Sequence, residues 1–255
     1  MEPWRTAIAN SDETNIWIRG YDIASLMRKA TFADLVFLLH QARLPTEKER
    51  RLLDAILVSV ADHGAGAPSC ATARLAASGN RESVSAAVAA GVLAIGNEHG
   101  GAGSDCMELI AAGVERSRRE RISIAEAANR AVEAFLAADR RVPGLGHRVH
   151  TKDPRVDVLF EMAKEAGLSG DGIAFTRALE AALRSRGKSI PINVDGALAA
   201  VLHELGFAPA AGKFIFIIGR VAGLTAEIAE EYARERPMRI RIPVEYDGVP
   251  PRPVE

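Results

Sequence analysis

The chain has 255 residues, 48% of them hydrophobic, and a formal net charge of −1. That length holds one large core or two smaller lobes, and the near-neutral charge excludes a nucleic-acid binder that works through an overall basic surface. No apolar run reaches the length of a membrane span, the first residues lack a basic start followed by an apolar run, and Cys70 and Cys106 stand in no metal or CxxC spacing, which points to a reducing cytoplasm.

In chain order, "TNIWIRGYDI" (14–23) alternates and predicts a short strand. "PTEKERRLLDAILVSVADHG" (45–64) predicts a helix opened by a Thr46/Glu49 capping box. Its apolar stripe is Leu53, Ile56, Leu57 and Val60, and Gly64 stops it. "RESVSAAVAAGVLAIGNEHGG" (81–101) is Ala-rich, suits close helix packing and ends in glycines. "SIAEAANRAVEAFLAADRR" (123–141) carries a second capping box, Ser123 with Glu126. Helical periodicity returns in "DGIAFTRALEAALRSRG" (171–187), "NVDGALAAVLHELG" (193–206) and "KFIFIIGRVAGLTAEIAEEYARE" (213–235). "MRIRIPVEY" (238–246) predicts a second short strand, and a Pro-rich tail follows. Aromatic residues make up 5%, too few for a sandwich or barrel. The expected fold is mostly α-helical with minor β at the termini.

Ionisable side chains collect where apolar segments meet glycines: His63 in "ADHGAG", His99 in "NEHGGAG", His147 in "GLGHRV", Asp195 in "INVDGALAA" and Arg220 in "FIIGRVAGL". Desolvation there shifts proton affinities and aims donors at a ligand. Each also has a plain structural reading. His63 suits a helix C-terminus, His99 a tight loop, and Asp195 the N-cap of the helix that follows it. His147 and His150 have no third ligand at matching spacing, so no metal site is expected. Arg220 lies inside a strongly apolar stretch. A buried guanidinium needs an anion, which a core carboxylate or a bound acid could supply. "GAGAPS" and "HGGAGSD" lack the third glycine of a dinucleotide fingerprint, and no GxxxxGK[ST] is present.

Taken in order, "WIRGYDIASLMRKATFADLVFLLHQARLPT", "HGG" with "GA" beyond it, "PGLGHRV…DPR", "NVDG" and "GRVAGLTAEIAEE…RERPMRIRIP" resemble the citrate synthase superfamily over nearly the whole chain. The short length, with "ADHGAGAPSCATARLAASG" and "NVDG", is similar to the citryl-CoA lyases and to the C-terminal module of ATP-citrate lyase. The resemblance implies a two-lobe helical fold, with 1–102 and 206–255 as the large lobe and 103–205 as an inserted small lobe. It implies a homodimer with shared active sites. It implies catalysis by His99, His147 and Asp195, and substrate carboxylates held by His63, Arg155, Arg220 and, from the neighbouring subunit, Arg236. The backbone at Val142, Gly144, Leu145 and Gly146 would lie along coenzyme A.

The implied reaction is cleavage of citryl-CoA to acetyl-CoA and oxaloacetate. The alternatives are synthase-type condensation of an acyl-CoA with a 2-oxoacid, and an accessory subunit that binds CoA or a tricarboxylate without turnover. Coenzyme A enters as a thioester substrate, and no permanently bound cofactor, membrane or nucleic acid is implied.

Overall fold

Eleven helices and one small sheet make up residues 2–146 and 153–253, the part of the chain described by the computed structural model. At the N-terminal end β1 (Ala9–Ser11), β2 (Ile16–Ile18) and β3 (Tyr21–Asp22) pair antiparallel in that order, with Ala9 opposite Ile18 and Trp17 opposite Asp22. The alternating 14–23 stretch is thus a hairpin rather than one strand. It turns at Arg19 and Gly20, both at positive φ. The Arg19 guanidinium then donates to the Leu39 carbonyl at 2.8 Å and ties the hairpin to the helices behind it.

The expected C-terminal strand does not form. Residues 240–246 take part in no ladder among the described residues, and Ile242, Val244 and Tyr246 point to solvent. Pro243 removes a donor from the middle of the run, and no sheet edge among the described residues pairs with the rest.

Short helices α1 (Ile23–Lys29) and α2 (Phe32–Gln41) lead into α3 (Glu47–Val60). In α3 both halves of the Thr46/Glu49 capping box are present. Glu49 also takes Arg43 at 2.6 Å, and that hydrogen bond, the largest influence, holds its carboxyl down at about 2. Leu52, Leu53, Ile56, Leu57 and Val60 are buried, so the predicted stripe is one residue wider than periodicity suggests.

Next come α4 (Pro68–Gly79), α5 (Val84–Leu93), α6 (Ala102–Glu120) and α7 (Ile124–Ala137). In α7 the Ser123 side chain accepts from the Glu126 amide, but the Glu126 carboxylate turns to Arg130 at 2.8 Å, so only half of the expected box exists. Then follow α8 (Pro154–Ala166), α9 (Asp171–Arg184), α10 (Val194–Glu204) and the long α11 (Ala211–Arg234).

The core is built around α10, whose Ala197 to Leu202 are all inaccessible to solvent. One continuous apolar cluster joins it to α3, α6, α7, α8, α9 and the first turns of α11. A smaller cluster binds α4 and α5 to the middle of α11 through Ala73, Ala77, Ala87, Leu224 and Ile228. Small residues set these approaches. A methyl group on Gly219 would lie 2.6 Å from Val60, and one on Gly91 would lie 2.9 Å from Leu224. The close seat of α11 on α3 is what carries Arg220 to the end of α3. Among the described residues, no helix is long and apolar enough to cross a membrane.

Candidate active site

Arg220 is 2% exposed, one of the largest fully enclosed side chains. Its Nε donates to the Val60 carbonyl at 2.8 Å, its Nη1 donates to Ser69 Oγ at 3.1 Å, and the guanidinium carbon lies 5.0 Å from the centre of the Phe216 ring. No carboxylate of the described residues lies within ion-pair distance of it. Of the two anions a buried arginine at this position could have, a core carboxylate is therefore not in contact with it.

Ser69 was not singled out by the sequence reading. It is the second residue of α4, directly after Pro68, and is fully buried. A Pro-Ser pair at a helix start gives the only signal, and that signal reads as a turn. Its position links two of the expected residues, because Ser69 Oγ lies 2.9 Å from His99 Nε2 while accepting from Arg220. The Ser69 backbone N–H also points at the same imidazole nitrogen, at 3.2 Å. A backbone N–H can only donate, so Nε2 acts as the acceptor and the ring proton is assigned to Nδ1. Polarisation thus runs from Arg220 through the Ser69 hydroxyl to His99. It leaves the ring a neutral Nδ1–H donor, the form an oxyanion stabiliser requires.

The turn carrying His99 is tightly defined. The Gly96 amide donates to the His99 carbonyl at 3.0 Å, the His99 and Gly101 amides both donate to the Gly96 carbonyl at 2.9 Å, and the imidazole meets the Phe216 ring edge-on at 6.2 Å. Gly100 has φ +73, and any side chain there would collide with Phe216.

Asp195 lies at the start of α10 but does not cap it. Asn193 is the N-cap, accepting from the Gly196 amide at 3.1 Å. This frees Asp195, in the first turn, for another task. Its Oδ1 is buried without a hydrogen-bond partner among the described residues. Burial pushes the carboxyl up to about 6; Arg155 and Arg220 pull the other way, and Asp153 adds a further upward push. A carboxyl balanced near neutrality can both take and give a proton.

Arg155 stands on α8 with its guanidinium largely committed. Nε and Nη2 form a bidentate pair with the fully buried Asp153 at 2.9 and 2.7 Å, and Nη1 donates to the Ser59 carbonyl at 3.1 Å. Asp153, the N-cap of α8, is a second residue the sequence reading passed over, although Asp-Pro is a recognisable helix start.

The strap expected to lie along coenzyme A rests on the segment before α10. The Gly146 amide donates to the Pro191 carbonyl at 2.7 Å, the Asn193 amide to the Gly144 carbonyl at 3.1 Å, and the Asn193 side chain to the Gly146 carbonyl at 2.8 Å. Val142 is buried and Leu145 half-buried, bridged to Ile192. Gly144 has φ +77, and a Cβ there would stand 2.6 Å from Cys106 Sγ and 2.7 Å from the Gly196 Cα. Gly144→Ala is therefore expected to shift the strap away from Asp195 and to destabilise the fold by about 1–3 kcal/mol. Thermal melting and CoA affinity measured together check this, and a variant equal to the parent in both would show that the contact is soft. A cavity of about 260 Å3 opens beside this segment, lined by Asp153, Phe160, Arg177, Glu180, Ile190 and Pro191 among others.

A family model described as "Citrate synthase, C-terminal domain" matches residues 46–241. The chain belongs to the citrate synthase family. It is 39% identical to a solved citryl-CoA lyase from Hydrogenobacter thermophilus, covering all of this chain and 98% of that one with a TM-score of 0.90. It is 30% identical over 207 residues to Citrate synthase 2 of Bacillus subtilis, 80% of this chain and 52% of that protein, so it spans about half the length of the curated relatives it matches. A solved ATP citrate lyase from Methanothrix soehngenii, in complex with citrate and coenzyme A, shares the fold at 19% identity and a TM-score of 0.76, over 97% of this chain and 43% of that one.

In this citrate synthase-family chain the remaining expected residues divide. His63 is exposed on the loop after α3. Arg236 is exposed past the end of α11 and has no hydrogen bond or ion pair with the described residues, so within one chain it is apart from the cluster around His99. His147 lies outside the described residues. Asp62, Cys70 and Glu227 bring potential metal ligands within 4.8 Å of one another. Glu227 is already paired with Arg74 at 2.5 Å, and burial pushes the Cys70 thiol up, so the set is poorly suited to a cation.

Proposed function

We propose that this chain is a citryl-CoA lyase-type enzyme, cleaving citryl-CoA to acetyl-CoA and oxaloacetate. The observation that carries the reading is the Arg220–Ser69–His99 relay, coupled electrostatically through Arg220 to a carboxyl, Asp195, with a buried oxygen that has no hydrogen-bond partner among the described residues. The full-length similarity to a protein named citryl-CoA lyase supports the choice of direction.

In this reading Arg220 binds a carboxylate of the citryl group, with Arg155 beside it and His63 at the entrance. His147 takes the proton from the citryl hydroxyl as the carbon–carbon bond breaks and the oxaloacetate ketone forms. The electron pair stays on the acetyl-CoA fragment as an enolate, and the His99 Nδ1–H donates to its oxygen. Asp195 gives a proton to the carbon. Condensation is the same path reversed and ends at citryl-CoA; CoA–SH is freed only if water then hydrolyses that thioester. The strap at Val142, Gly144, Leu145 and Gly146 carries coenzyme A, and the adjoining cavity takes part of it. No permanently bound cofactor enters the scheme.

The division into lobes proposed here, 1–102 with 206–255 against 103–205, puts His99 and Arg220 on one side and Asp195, Arg155 and the strap on the other. Closure brings them around the thioester and excludes water from the enolate. Two copies of the chain pair, and the partner's Arg236 completes the carboxylate site.

The deciding experiment measures oxaloacetate release from citryl-CoA beside oxaloacetate consumption with acetyl-CoA, with thiol release followed in the second reaction to detect hydrolysis of the citryl-CoA formed, on the purified chain. Cleavage faster than condensation is the expected result. Condensation alone would make the chain a synthase. Ligand-induced thermal stabilisation with no turnover in either direction would make it a binding subunit.

A further inference from the structure

The C-terminal end of α11 carries a second concentration of charge, away from the relay. Glu231 is fully buried, yet its carboxylate sits between two guanidinium groups. Arg74, from α4, reaches it at 3.1 Å through Nε and 3.0 Å through Nη2. Arg239 reaches it at 2.9 Å through Nε and 2.6 Å through Nη2. A buried carboxylate held by two arginines is costly to assemble and costly to break, so its place in the chain matters. That place is around one residue. Arg81 donates to the carbonyls of Tyr232 at 2.9 Å and Glu235 at 2.5 Å, and the Met238 amide donates to the Ser78 carbonyl at 2.9 Å. The segment 232–239 is thus pinned to α4 and the loop after it at both ends. Arg74, Arg81, Arg234 and Arg239 all have partners, while Arg236, in the middle of the segment, faces solvent with none among the described residues.

The same two helices, α4 and α11, carry the relay. Ser69 and Arg74 are five residues apart on α4, and Arg220 and Glu231 are eleven apart on α11. One rigid pair therefore fixes the distance between a chain's own carboxylate site and the arginine it presents outward.

We infer that Glu231, gripped by Arg74 and Arg239, is a positioning residue that holds Arg236 at a set place and angle for a second copy of this chain. This rests on the reading above, in which the partner's Arg236 binds a substrate carboxylate. Bidentate arginine contacts are demanding in angle, and a displacement of about 1 Å can cost on the order of 100-fold.

The test uses the full chain with Arg236→Ala, Glu231→Gln and Arg239→Gln. It measures kcat and KM for citryl-CoA, or for oxaloacetate in condensation, together with amide hydrogen exchange over 235–240. All three variants are expected to raise KM by on the order of 10- to 100-fold with kcat kept. Glu231→Gln and Arg239→Gln should also speed exchange in the segment, whereas Arg236→Ala should not. Should Glu231→Gln fail to fold, Arg239→Gln carries the test, because Arg239 is the outer, partly exposed member. Faster exchange with parental KM in the grip variants, or unchanged exchange, overturns the proposal. An Arg236→Ala protein with parental KM overturns it as well, and marks the trans-acting arginine, rather than the grip, as the part that failed.

Discussion

Asp195→Asn is expected to lower turnover by at least ~100-fold, the scale of a lost general acid–base group, without weakening the fold near neutral pH. The amide keeps the shape of the side chain and cannot exchange the proton. Its effect on stability depends on pH with a definite sign. The Asp195 carboxyl sits at about 6 in the folded chain against an ordinary 3.8, because burial disfavours its charge. Below about pH 4 it is protonated both folded and unfolded, so replacement changes nothing. As pH rises toward 6 the unfolded chain releases the proton first, and the folded state loses stability relative to it, up to an order of 3 kcal/mol. Above 6 the loss is complete, and there the Asn variant should be the more stable protein. Melting curves at pH 4.5 and pH 8 check the crossover. An Asn variant that melts lower at pH 8, or turns over like the parent, would remove Asp195 from both roles.

Under the proposed mechanism the same carboxyl contributes to the pH dependence of the rate: cleavage would start with the proton on Asp195 and end with one on His147, and condensation would run the other way. The total on the enzyme is equal, so kcat/KM in the two directions should share one profile.

His99→Ala is the second large loss, again at least ~100-fold in turnover. Under the proposed mechanism it removes the Nδ1–H donor from the enolate oxygen. It also leaves the Ser69 N–H and hydroxyl without their acceptor, at a cost of about 1–3 kcal/mol in stability. Ser69→Ala separates the two effects. It retains the ring and cuts the connection to Arg220, so a smaller fall in rate is expected. A Ser69→Ala enzyme as slow as His99→Ala would mean that the hydroxyl itself acts on the substrate. Equal rates for His99→Ala and the parent would leave the enolate without its assigned donor.

Much of this architecture is legible in the sequence. Helices α3, α7, α9, α10 and α11 announce themselves by apolar spacing and caps, since their buried faces follow the helical period. Helix α4 is harder to read. Its packing face uses Ser69, Cys70, Ala73 and Ala77, and contacts through small residues leave little apolar signal. The strand expected at 238–246 shows the opposite error, because alternation predicts a surface and not a partner to pair with. In the site, Arg220 declares itself by a charge inside an apolar run. Ser69 does not, because its importance lies in what stands on either side of it in space, 30 residues away at His99 and 151 away at Arg220. Asp195 reads equally as a cap from sequence, and only the capture of that duty by Asn193 decides the matter.

Cys70 and Cys106 are both fully enclosed, and burial drives both thiols upward in proton affinity, Cys106 most of all. A colorimetric disulfide reagent will therefore find the folded chain blank, and any colour that develops with acetyl-CoA and oxaloacetate belongs to CoA–SH freed by hydrolysis of the condensed thioester. Denaturant reverses this, since each unfolded molecule then contributes two equivalents of reactive sulfur. One dye thus reports catalysis from the intact protein and counts the molecules that have come apart.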